Sequence, residues 1–174
     1  MKAWHFVGAT LRDGRPVPKD GELLIHTGRV LPCVSGLHAS PTPWDALPYA
    51  PGDVLCLVEL GEDVVSHGEP TDKYVSDKRT IITRMDATPL LRLFARQQAL
   101  SVVHLWEPSQ AVLDFLMGDD AARGAARDAA WGAARDAARG AARDAAWGAA
   151  RAAARGAARD TFNSMVYEAF EDWL

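Results

Sequence analysis

The chain of 174 residues is poor in the groups that most chemistry needs. It has only two cysteines, Cys33 and Cys56. Both sit in apolar, strand-like surroundings, so they read as buried free thiols rather than a disulfide framework. His5, His26, His38, His67 and His104 stand at unrelated spacings with no cysteine partners, which excludes a zinc pattern. No GxGxxG and no Walker sequence occurs, so no phosphate-cradling loop is written into the chain. No run of eighteen apolar residues and no apolar leader follows Met1-Lys2-Ala3-Trp4. The expectation is a cytoplasmic protein with no membrane span and no signal peptide. Proline is absent after Pro108, which leaves the C-terminal third free of the strongest helix breaker.

That third contains what the chain has in excess. Ala121 to Asp160 is a four-residue unit repeated ten times: AARG AARD AAWG AARD AARG AARD AAWG AARA AARG AARD. Alanine and arginine are strong helix formers, so the spacing predicts helix throughout. Gly118 would close the preceding helix, and Asp119 or Asp120 would cap the next. Unbroken, forty helical residues span roughly 60 Å. A break at one of the glycines, giving a hairpin, is the alternative.

Gly124, Gly132, Gly140, Gly148 and Gly156 recur every eight residues. Each costs about 0.8–1 kcal/mol relative to alanine, which calls for compensation by close backbone approach of another helix. Eight arginines in the same stretch exclude a lipid environment. Four residues advance a helix by about 400°, so the repeat drifts around its axis and suits a bundle better than a two-stranded coil. The expected assembly is a dimer or tetramer.

Charge divides the chain. The repeat carries eight Arg and four Asp, whereas the whole protein has a net charge of −4. Pairing such as Asp120–Arg123 or Asp136–Arg139 is the plain explanation. The functional alternative is an anionic, nucleotide-like ligand held by Arg127, Arg135, Arg143 and Arg151, with Trp131 and Trp147 stacking on a base. Extended nucleic-acid binding is not expected, because Asp interrupts the Arg rows.

The preceding residues predict an α+β fold: a small β-rich head (1–87), connecting helices (88–118), then the repeat helix with a C-terminal amphipathic segment (119–174). Apolar or β-branched runs place strands at Lys2–Val7, Glu22–His26, Leu37–Ser40, Val54–Leu60 and Thr80–Arg84. Thr42-Pro43 and Thr88-Pro89 read as helix starts, and a short helix is expected over Ser109–Met117. Asp72-Lys73 and Asp77-Lys78-Arg79 read as a solvated loop that could flank an anion. The segment most like a site is Ser35-Gly36-Leu37-His38-Ala39-Ser40, where a strand ends in His and Ser before a capped helix. No third triad member accompanies His38 and Ser40, so a backbone-bonded histidine and a turn serine is the plainer reading.

Two resemblances extend this. Gly36-Leu37-His38-Ala39-Ser40, then Ala46 and Tyr49, then Val54 to Gly61, is similar to the strand–helix–strand half of ADP-ribosyltransferase-like folds. That implies an NAD-binding enzyme with His38, Ser40 and Tyr49 around a dinucleotide. His38 stands where that family usually has Tyr, and Thr80–Arg84 (TIITR) supplies no catalytic Glu. The whole layout also resembles uncharacterised proteins of actinobacteria and their phages. These join a GLHAS head to Ala-rich ARDAAW tracts ending near a Phe-Asn-x-Met-Val segment, here Phe162–Val166, and some carry an immunity label. This implies a phage–host setting. The leading expectation is a non-enzymatic, oligomeric binding protein with no cofactor and no metal, sequestering a nucleotide-derived signal or blocking a partner. A purely structural oligomerisation module is the third reading.

Overall fold

The computed structural model describes the backbone of residues 1–101, 103–105, 107–129 and 146–174, with the side chains of those residues except 105 and 146–154. They pack as two compact units: residues 1–90 with 161–174, and residues 91–160. The fold class is α+β, with two antiparallel sheets in the first unit and helices after them.

The first sheet has the order β1 (Lys2–Val7), β4 (Val54–Leu60), β7 (Lys78–Asp86), β2 (Leu23–Ile25). The second has the order β3 (Leu37–Ala39), β6 (Lys73–Ser76), β5 (Val64–His67). A two-hydrogen-bond bridge ties them together: Trp4 N–H donates to the Ser40 carbonyl at 2.9 Å, and Ser40 N–H donates to the Trp4 carbonyl at 2.7 Å. Strands β1 and β4 carry apolar residues on both faces because both faces are covered. Ala3, His5 and Val7 share one face with their register partners Val58, Cys56 and Val54. There Ala3, Cys56, Val58, Leu60 and Ile81 pack on Ala39, Val64 and Tyr74 of the second sheet.

Trp4, Phe6, Leu55 and Leu57 occupy the opposite face. The C-terminal end of α5 (Ala146–Ala169) reaches it: Phe170 meets Trp4 edge-on at 5.0 Å, and Tyr167 lies 5.8 Å away. Phe162, Val166 and Phe170 form an i, i+4, i+8 stripe and are buried. Asn163 Oδ1 accepts from Trp44 N–H at 2.9 Å, fixing the same segment to α1 (Pro43–Ala46). Residues 161–174, grouped by sequence with the repeat, thus complete the head. Fully burying each such side chain contributes about 1.5–3 kcal/mol.

Helix α1 starts as its sequence dictates. Thr42 Oγ1 accepts from Asp45 N–H, its hydroxyl donates to Asp45 Oδ2, and Pro43 fills the first turn. At α2 (Thr88–Ser101) the cap is not Thr88. Asp86 Oδ1 accepts from Thr88 N–H at 2.8 Å, while the Thr88 hydroxyl donates to Asp53.

In the second unit, α3 (Gln110–Met117) ends on left-handed Gly118. Asp119 then caps the next turn, accepting from Ala121 N–H at 2.9 Å. Val112 and Leu116 pack with Ala126 of the helical residues 123–129 (α4). Asp120 pairs with Arg96 at 2.5 Å rather than with Arg123 as expected, and the Arg96 guanidinium lies over the Phe115 ring. The forty-residue repeat is helical over 123–129 and 146–160, after a 3-10 turn at Asp120–Ala122. Its middle, including Asp136–Arg139 and Gly132 and Gly140, lies outside the described residues. Among the described residues no helix is long and apolar enough to cross a membrane.

Candidate functional site

The first unit has a half-open cavity of about 910 Å³ against β1, β3 and the segments 8–15 and 33–36. That size lies within the range of small-molecule sites. His38, Ser40 and Tyr49, singled out from the sequence, all line it. The repeat residues contribute nothing described here. Arg127 is exposed beside Asp128 at 3.3 Å. Trp131, Arg135 and Arg143, and the side chains of Trp147 and Arg151, lie outside the described residues.

Glycine opens the site's main strand for a steric reason. Gly36 has φ +117°, and a Cβ there would stand 2.5 Å from Val75 Cγ2. This close approach draws residues 33–36 over the second sheet. His38 Nε2 accepts from Cys33 N–H at 3.1 Å, which places the ring proton on Nδ1. Burial, with Lys73 next, holds the His38 pKa below the usual histidine value, against the pull of the Gly36 backbone. Ser40 is buried, with its backbone committed to the Trp4 bridge. Cys33, expected to be buried, is exposed, because its loop turns at a left-handed φ of 63°. Cys56 is the buried thiol, and burial pushes its pKa up to about 11.

The largest departure from the sequence reading concerns charge. Lys73 and Arg79, read there as part of a solvated loop, are the first residue of β6 and the second of β7 and are buried, 9% and 4% exposed. Both line the cavity. Arg79 Nη1 donates to the His38 carbonyl at 2.5 Å, and burial lowers the guanidinium pKa to about 10. Lys73 Nζ lies 3.5 Å from the centre of the Tyr49 ring and 3.6 Å from Cys33 Sγ. Neither cation has a carboxylate within ion-pair distance among the described residues. His5 faces the same space from β1, and burial, Arg79 and His38 hold its pKa well below the usual value.

Arg12 and Arg15 add charge from an exposed loop, and among the described residues the only lining carboxylate is Asp13, in an ion pair with Arg15 at 2.7 Å. A serine–histidine contact also exists, but between residues other than those expected. The Ser35 hydroxyl lies 2.9 Å from His26 Nε2. Among the described residues no carboxylate pairs with the His26 ring, so the orienting member of a nucleophile–base pair is missing. No cluster of three or more His, Cys, Asp or Glu side chains among the described residues could hold a metal ion.

The sequence signals for this arrangement are faint. Alternation along Lys2–Val7 puts His5 on the face of Ala3 and Val7, and the β-branched run Thr80–Thr83 can be read back to Arg79. Nothing local marks Lys73.

The site therefore belongs to a β-rich head built around a cationic cavity. The family model described as "Domain of unknown function (DUF7666)" matches residues 1–93, more than half of the chain, and the protein belongs to this family. Searches of curated proteins and of solved structures gave no match.

Proposed function

We propose that this protein binds a small anionic ligand in the cavity of its head, and that the Ala-rich repeat joins copies into a dimer or tetramer. One observation carries the first half: two buried cations, Lys73 and Arg79, line the cavity without a carboxylate partner. An unpaired buried charge costs several kcal/mol, and a bound anion supplies the missing counter-charge. Binding is favoured over ADP-ribosyl transfer because the single lining carboxylate, Asp13, is already ion-paired to Arg15. Lys73 and Arg79 favour the head over the repeat as the seat of the anion. In the phage–host setting implied by the resemblance above, such a protein would withdraw a nucleotide-derived signal from its receptor.

For assembly, the support is energetic. A Cβ added at Gly124 or Gly156 would meet nothing within 4 Å, so among the described residues no neighbour offsets the helix-weakening cost of these glycines. A second copy would.

The test is calorimetry on the full chain with small anions and with neutral nucleosides as controls. Saturable binding of an anion, with affinity falling as salt rises, is expected. If no anion binds, the reading is wrong. Light scattering should give a multiple of the 18.8 kDa chain mass; a monomer at every concentration would remove the assembly proposal.

A further inference from the structure

We infer that the cavity recognises a phosphate monoester, with its phosphoryl group seated between Lys73 and Arg79 and its organic body toward the loop 8–15. The inference rests on the anion-binding reading above and narrows it to one chemistry.

The two cations come from different sheets, Lys73 from β6 and Arg79 from β7, and line the same space. A single carboxylate brings one charge, which neutralises one of them. A phosphate monoester brings nearly two charges and three acceptor oxygens on one atom. The donors match that demand. A guanidinium carries five N–H groups in a planar fork, and one of Arg79's is used on the His38 carbonyl. The Lys73 ammonium has three donors, and its described partners are the Cys33 sulfur and the face and hydroxyl of Tyr49. None of these is charged, so an oxyanion would outcompete them. His38 has its Nε2 occupied by the Cys33 amide, which leaves the ring in a fixed tautomer at the floor.

The volume sets the second half of the inference. The pocket is half-open and its roughly 910 Å³ is far more than one tetrahedral oxyanion fills, which leaves room for an organic group beside the phosphoryl. Toward the exposed loop stand Arg12, Leu11 and Thr10, while the Tyr49 ring lies against Lys73 beside the phosphoryl seat. These suit a body that is polar and partly solvated.

Cys33 supplies an internal reporter. It is exposed, its sulfur touches Lys73, and the other thiol is buried, so a neutral alkylating reagent should modify Cys33 alone. The full chain is titrated with inorganic phosphate, adenosine monophosphate, ribose 5-phosphate, a cyclic (diester) nucleotide and citrate. Iodoacetamide labelling of Cys33 is followed in parallel. The expected result is that a monoester binds at least tenfold tighter than the diester and than citrate, and slows Cys33 labelling. Lys73→Met should lower that affinity at least tenfold while Arg12→Gln changes it less than threefold. Because Arg79→Met removes a buried group, Arg79→Lys is measured beside it, with thermal melting confirming that both fold.

Inorganic phosphate binding as tightly as the organic esters would overturn the organic body. Monoester binding that ignores Lys73 and both Arg79 variants, leaves Cys33 labelling unchanged and follows Arg12 would overturn the seat while sparing the broader reading. Citrate or the diester binding as tightly would overturn the phosphate monoester. Binding of none would overturn both.

Discussion

The two compact units use opposite means to hold themselves together. In the head, residues distant in sequence interlock: Leu55, Leu57, Val58, Phe162 and Val166 are wholly buried, and Lys73 and Arg79 are buried as well. In the second unit the described core is Val112, Leu116 and Ala126, each still 5–8% exposed, and most of the sequence is alanine, arginine and glycine. A unit with large, dissimilar side chains fixes which residue meets which. A unit of identical small steps fixes its secondary structure and little else. That difference favours the head for the specific recognition proposed above and the repeat for the proposed assembly.

The largest effect that could break this comparison is at the head's C-terminal cover. Phe162→Ala should destabilise the head by about 3–5 kcal/mol, because it empties a fully buried aromatic site against Trp44. Phe162→Asp should prevent folding of the head altogether. Denaturant unfolding followed by tryptophan fluorescence decides it. A loss under 1 kcal/mol would mean that residues 161–174 are an accessory, and the two units would no longer differ in kind.

A middle-sized effect is expected from acid. His5 and His38 have pKa values held below the unfolded value of about 6.5, so the unfolded chain takes up protons that the folded head refuses. Stability should therefore fall as pH drops below about 6.5, and His5→Gln should flatten the dependence. Melting curves at pH 7.5 and 5.5 test this. An unchanged or rising melting temperature on acidification would show that the cavity is neither dry nor cationic enough to resist protonation.

The smallest effect sharpens the contrast from the other side. Within one copy Gly124→Ala and Gly156→Ala meet open space and should each favour its helix by about 0.8–1 kcal/mol, whereas the assembly proposed above, which brings a second backbone onto these glycines, should weaken. A raised melting temperature with the assembly intact in light scattering would mean that no other backbone packs on that glycine.

How much of this was legible depends on where each residue's partners lie in the sequence. Strands β1 and β4, the Thr42-Pro43 start and the Gly118-Asp119 stop follow from local alternation and capping, and all stand where sequence places them. Strands β5 and β6 are four residues each, flanked by Gly61, Gly68, Pro70 and Asp72, so turn signals drown their pattern. His38, Ser40 and Tyr49 were readable because they follow one another along one strand–helix unit. Lys73 and Arg79 were not, since a charged side chain reads as surface unless its non-local cover is known. The same holds for residues 161–174: amphipathicity shows that Phe162 and Val166 seek a partner, not that the partner is the sheet carrying Trp4.

That cover has a consequence for the order in which the protein is made. The head's last fourteen residues follow the seventy of the second unit, 91–160, along the chain. A ribosome adds about 5–20 residues per second. The sheet face with Trp4 thus stands open for roughly 4–14 s after Leu90 has been added, until Thr161 and its neighbours emerge. During that interval the nascent head has its strands but not its lid. Every extra tetrad in the repeat would lengthen the wait by a fraction of a second. The alanine-rich stretch, poor in large apolar side chains, is a suitable segment to pass through while a greasy surface waits to be closed.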